Sequence, residues 1–183
     1  ERAARERQVV VLTHDDRLFE AIRRLGIEAR VVEVVRQAES VISIEECLDP
    51  VERHLRDAKQ CIHNQAALGS EVAARVVPGF CRLALEAACV EAIRRLRLGR
   101  GDDHASVEQA IEDAKRTHQL AALAIYDDVD ATDRVYSHFN SKLGRWAGDA
   151  YREIREATHG GAYDLWSMHK YACDLAAVLR SPR

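Results

Sequence analysis

Residues 79–86 (GFCRLALE) place Arg82 and Glu86 four positions apart, and from Gly79 to Val90 they are the only charged side chains. On a helix, that spacing sets both on one face, one turn apart. Far downstream, His159 precedes Gly160-Gly161, and Arg152 stands upstream of it with six residues between them. A guanidinium holds a phosphate through its planar fork. An imidazole with an ordinary pKa of about 6.5 gives or takes a proton near neutral pH. A carboxylate orients an arginine or shares in the proton transfers. Arg82, Glu86 and His159 therefore make a kit for cleaving a phosphodiester, one charge to hold the phosphorane and acid/base groups to move protons. The same Arg82–Glu86 pair is also an ordinary helix staple, worth a few tenths of a kcal/mol. Both readings stay open at this level.

The elements that must position these groups are mostly helical. Residues 8–13 (QVVVLT) form a short, continuous, β-branched run, the pattern of a buried parallel strand. His14-Asp15-Asp16 follows with helix-capping chemistry, then an amphipathic stretch with Leu18, Ile22 and Leu25 on one face and Gly26 as its stop. Residues 28–36 and 40–45 read as two further strands around a polar turn. Asp49-Pro50 opens the helical part, Asp as N-cap and Pro in the first turn. From there the periodicity predicts helices over about 50–66, 71–98, 105–126, 131–158 and 162–180, with Pro78-Gly79 interrupting the second just ahead of Arg82. The expectation is a mostly α protein: a small α/β segment over 1–47, then a bundle of about five helices over 48–183. Tyr151, Trp146, Tyr163 and Trp166 are expected to dock the last two helices as core residues.

Composition narrows the class. The 183-residue chain is 47% apolar and 31% charged with only 5% aromatics, which favours an ordered helical protein over a disordered one. No apolar run approaches the roughly 20 residues of a membrane span, so no membrane partner is expected. The five cysteines form no CxxC pair, and Cys81 and Cys89 read as small core residues, so reduced thiols and a cytoplasmic location are expected. The histidines have no metal-binding spacing, and no metal ligand set is expected. Arg94, Arg95 and Arg97, with Arg100 beyond them, end one helix; they are candidates to grip a nucleic-acid backbone, or to complement the negative end of the helix dipole.

The run ending in Thr13-His14-Asp15 resembles the His switch of ABC-type ATPases of the SMC- and RecF-like branches, where the histidine contacts the γ-phosphate of ATP. The resemblance covers residues 8–46 and implies that His14 is such a sensor, and that 1–47 is the tail of an ATPase sheet. The glycine-rich phosphate loop G-x-x-x-x-G-K-[ST], the signature loop and the Walker B carboxylate have no counterpart in the sequence. The implied ATP and Mg²⁺ would therefore belong to a complete ATPase with a further lobe, and this chain alone is expected to bind no cofactor. The opening ERAARER, without an initiating Met, reads as the start of a piece of a longer protein.

The Arg82–Glu86 pair with a later His159 resembles the Arg-x3-Glu…His arrangement of HEPN-type anticodon nucleases, which stand behind ABC-type ATPase domains in bacterial antiviral defence. Arg152 and His159 likewise match the wider HEPN pattern of an arginine followed at short range by a histidine. The resemblance implies a metal-independent ribonuclease acting on tRNA, working as a homodimer or larger oligomer. The alternative is a non-catalytic C-terminal domain of such an ATPase, used for assembly or partner binding.

Overall fold

The computed structural model describes residues 7–14, 18, 21–22, 27, 29–36, 40–46, 49–156 and 164–181. The chain divides into two units, Glu1–Cys47 and Leu48–Arg183. The protein is mostly α-helical, a helical bundle with a small α/β segment before it.

In the first unit, β1 (Val32–Arg36) and β2 (Ile42–Glu46) pair antiparallel, with Val34 opposite Ile44 and Arg36 opposite Ile42. Alternation along each strand puts Val32, Val34, Ile42 and Ile44 on one face, and all four are exposed. Leu18, Ala21 and Ile22 are helical, as the amphipathic pattern predicts. Residues 8–13 depart from expectation. They are not a strand, and Val9, Val10, Val11 and Leu12 lie open to solvent. A parallel strand needs a hydrogen-bonding neighbour on its flank and cover on both faces. Among the described residues the sheet holds β1 and β2 alone, and the apolar side chains of Val9 to Leu12 are left uncovered.

The second unit is built around one long helix. In chain order its α-helices are α1 (Pro50–His63), α2 (Gln65–Leu68), α3 (Ser70–Gly99), α4 (His104–Asp113), α5 (Thr117–Tyr126), α6 (Val135–Leu143), α7 (Trp146–Glu156) and α8 (Leu165–Arg180). A 3-10 turn, Ala131–Arg134, leads into α6. At 30 residues α3 is about 45 Å long. Its buried positions, among them Ala73, Val77, Cys81, Ala84, Ala88 and Ala92, recur every three or four residues. Their small size lets α1, α8, α5 and α4 close upon it.

Capping fixes several ends. Asp49, 7% exposed, accepts the Glu52 N–H at 3.0 Å, and its other oxygen takes Arg180 at 3.1 Å. Arg180 also reaches Glu91, so one guanidinium joins α1, α3 and α8. Asp103 and Asp164 cap α4 and α8 through their side chains.

Three expected elements are redrawn. Pro78 does not split α3, which runs unbroken through it. Losing one amide donor costs roughly 3 kcal/mol in a helix interior, and the buried stripe on both sides, Val77, Cys81 and Leu85, outweighs it. The expected helix over 105–126 breaks at Ala114, whose ψ of 70° is not helical. The expected helix over 131–158 breaks at Gly144, which takes a φ of 103°, a backbone conformation that favours glycine. Beyond that break Gly148 presses against α6: its N–H donates to Asn140 Oδ1 at 2.8 Å, and a Cβ there would sit 2.9 Å from the same oxygen. Tyr151 is a core residue as expected; Trp146, though 37% exposed, packs its ring 4.8 Å from that of Tyr171 and so docks α7 on α8, while Trp166 is 47% exposed at the surface. Tyr163 lies outside the described residues.

Candidate functional site

Continuity of α3 through Pro78 decides where Arg82 and Glu86 point. Both stand on its flank toward the start of α5, half-buried, with Arg82 Nε 3.7 Å from Glu86 Oε1. That oxygen also accepts the Thr117 hydroxyl at 2.6 Å, a bond that ties α3 to the first residue of α5. The break at Ala114 turns the chain so that Lys115, Arg116, Thr117 and His118 arrive together at this flank. Arg155 and Glu156, from the last turn of α7, complete the wall. The result is an open groove of about 490 Å³.

Its charge is unbalanced. Arg82, Lys115, Arg116 and Arg155 face only two carboxylates, Glu86 and Glu156. Lys115 and Arg116 are exposed, with no carboxylate partner among the described residues. Arg155 pairs with its neighbour Glu156. The Nε atoms of both Arg82 and Arg155 are buried without a hydrogen-bond partner among the described residues. Such atoms are uncommon in folded proteins and costly to leave unmade. Those two nitrogens are themselves covered, so what the groove offers an oxyanion is the rest of the guanidinium groups of Arg82 and Arg155 beside Lys115 and Arg116.

His118 sits at the back of this groove. Its Nδ1 lies 3.3 Å from the Tyr151 hydroxyl, and its ring packs on Tyr136 and Tyr151. Burial, and next the Arg155 charge, lower its pKa below the ordinary histidine value, against a hydrogen bond to the Thr132 carbonyl that raises it. A neutral imidazole at neutral pH follows. With Tyr151 on one side and Thr132 on the other, it serves to fix the start of α5.

The other residues singled out from the sequence are placed differently. Arg152 does not line the groove; it pairs with Asp149 at 3.2 Å and lies 5.2 Å from the Tyr136 ring. His159 lies outside the described residues. His14 is exposed in the first unit. Arg94 makes a two-pronged bond to Glu108, at 2.8 and 2.7 Å. Arg97 donates to Asp127 at 2.6 Å, and Arg95 reaches the Leu179 and Ser181 carbonyls. Arg94 and Arg97 are thus engaged in half-buried ion pairs, whereas Arg95 is exposed and bonds only weakly to carbonyls at the end of α8. Cys81 and Cys89 are buried free thiols, and burial pushes the Cys81 thiol up to about 12. Among the described residues no group of three or more His, Cys, Asp or Glu could hold a metal ion.

Sequence reasoning missed Lys115, Arg116, Thr117, His118 and Arg155. The signal available was the run Lys115-Arg116-Thr117-His118 itself, two cations then a hydroxyl and an imidazole, read through as mid-helix. No protein-family model matches the chain, and no curated protein or solved structure matches it.

Proposed function

We propose that residues 48–183 are a metal-independent ribonuclease unit, with tRNA as the favoured substrate, serving as the effector of an ATPase-coupled antiviral defence protein. The observation that supports it most is the meeting of Arg82 and Glu86 with Lys115, Arg116 and Arg155 in one cationic groove. In this reading the guanidinium groups of Arg82 and Arg155 that line the groove hold the scissile phosphate and its growing negative charge. Glu86, whose Oε1 is fixed by Thr117, takes the 2′-OH proton. The O2′–P bond forms, the P–O5′ bond breaks, and the departing 5′-oxygen takes a proton from His159, a role that comes from the HEPN resemblance. The products are a 2′,3′-cyclic phosphate and a 5′-hydroxyl. The described residues of the first unit offer ATP no phosphate cradle, since His14 is exposed and residues 8–13 form no strand; no step is assigned to the nucleotide.

A non-catalytic assembly role has one observation in its favour. The Thr117–Glu86 bond joins α3 to α5 just as Arg97–Asp127 does at the other end of α5, so both read as staples of the same helix pair. Incubating the chain with end-labelled tRNA in a chelator separates the two. Cleavage giving cyclic-phosphate ends is expected, and Glu86→Gln, His159→Ala and Arg82→Ala should each lower its rate about 10²–10⁴-fold with helical content unchanged. RNA that is bound but left intact by the wild type would favour the assembly role.

A further inference from the structure

A second cavity, sharing no residue with the groove, opens where α3, α5 and α8 end. Its volume is about 630 Å³, within the range of small-molecule sites. It exists because of residue size. Ala92, Leu96 and Gly99 fall on one face of α3 at i, i+4 and i+7, and opposite them stand Ala124 and Ile125 of α5 and Leu179 of α8. Alanine and glycine at facing positions leave space that close-packed interiors do not normally keep. A Cβ added at Gly99 would meet nothing within 4 Å.

The walls are mostly aliphatic, and the polar lining residues are three cations, Arg95, Arg100 and Lys142, with His138 and Ser181 and no carboxylate. Some of that charge is already committed. The last turns of three helices bring carbonyl dipoles here; Arg95 donates weakly to two of those carbonyls, at 3.4 and 3.3 Å. Arg100 is engaged by Asp102 and Asp127. Lys142 is exposed at the end of α6 and has no carboxylate partner among the described residues.

We infer that this cavity binds a small amphipathic anion: an unbranched aliphatic chain lying against Leu96, Ile125 and Leu179, with its single anionic head at Lys142 and Arg95. Leu96, Ile125, Val178 and Leu179 give an alkyl body apolar surface to lie on. The two sources of such a head, carboxylate and phosphate, share this chemistry.

Calorimetric titration of the chain with decanoate and with decyl phosphate tests it, with decanol as the uncharged control, and acetate and inorganic phosphate as head-only controls. Saturable binding of one or both alkyl anions is expected, and the tighter of the two names the head group. Lys142→Glu should weaken that binding about tenfold or more. Gly99→Trp, whose side chain enters open space, should abolish it while thermal unfolding remains cooperative. Should Gly99→Trp fail to fold, Leu96→Trp fills the same cavity from a half-buried position. The inference is overturned by an absence of binding, by decanol or a bare head group binding as well as the alkyl anions, or by affinity that survives either the charge reversal or the filled cavity.

Discussion

Two apolar stretches of this chain meet opposite fates. On α3, Val77, Cys81, Leu85, Cys89 and Ile93 are at most 1% exposed, whereas on the hairpin Val34, Ile42 and Ile44 are 60%, 64% and 69% exposed. Both patterns are amphipathic at the period of their own secondary structure, so local pattern does not separate them. Surroundings do. The α3 stripe is met by helices on several sides, while Val32, Val34, Ile42 and Ile44 leave one face of the hairpin open to solvent. A two-stranded hairpin alone is marginal in water for that reason. The residues named for chemistry follow the same divide: Arg82 and Glu86 sit on a helix fixed by its packing, and His14 on an exposed segment.

The largest test of the contrast lies in the bundle. Phe139 is fully buried, with its ring 5.0 Å from that of Tyr151. Phe139→Ala should cost about 3–5 kcal/mol through lost transfer energy and the cavity left behind. Urea denaturation followed by helical circular dichroism measures it. A cost below about 1 kcal/mol would show that this core is loosely packed, and would erase the distinction from the hairpin.

An intermediate effect should come from Asp127, which ends α5 in a left-handed turn with φ 58°. Burial pushes its pKa up, but hydrogen bonds from Arg100 and Arg97 more than offset that and hold the carboxyl below its ordinary value. A carboxylate lowered on folding binds fewer protons in the native state than in the unfolded one. Its contribution is therefore complete above the unfolded pKa of about 3.9, and is lost as pH falls through the lower folded value. Asp127→Asn should cost about 1–3 kcal/mol at neutral pH, the range for charge-assisted bonds. Its thermal midpoint should also fall less steeply than the wild type's between pH 5 and pH 2. Parallel acid limbs would mean that the Arg97 and Arg100 bonds add no stability.

Caps and strong periodicity were legible in the sequence because they act locally. Asp49-Pro50 starts a helix where its side chain and ring chemistry say it should, and both hairpin strands lie where expected, the first beginning four residues late at Val32 and the second two residues late at Ile42. Outcomes decided by tertiary packing were hidden. Pro78 reads as a breaker, yet burial on both sides carries α3 through it. Ala114 reads as helix interior, and with neither Gly nor Pro nearby the turn there leaves no local trace. That one break brings Lys115, Arg116, Thr117 and His118 to the groove, so although the run itself was visible, its place beside Arg82 and Glu86 was not. Gly144 was a local signal, overridden by the apolar periodicity on either side of it. Arg82 and Glu86 were legible as a pair, since i,i+4 geometry needs only the helix.

The smallest expected effect is the most pointed test of the comparison. Ile44 is 69% exposed on β2 and faces Val34 across the pair. Ile44→Thr keeps a β-branched side chain, and with it the strand preference, while replacing an exposed ethyl group by a hydroxyl that water can solvate. Little apolar burial exists to be lost, so global stability should change by less than about 0.5 kcal/mol. Hydrogen exchange should give the same answer without a mutation: amides of β1 and β2 should open faster than those of α3 around Leu85, because few buried contacts hold the hairpin closed. A loss of about 2 kcal/mol or more in Ile44→Thr, together with strand amides as protected as those of α3, would mean that this face is packed in solution and that the two apolar stretches share one fate after all.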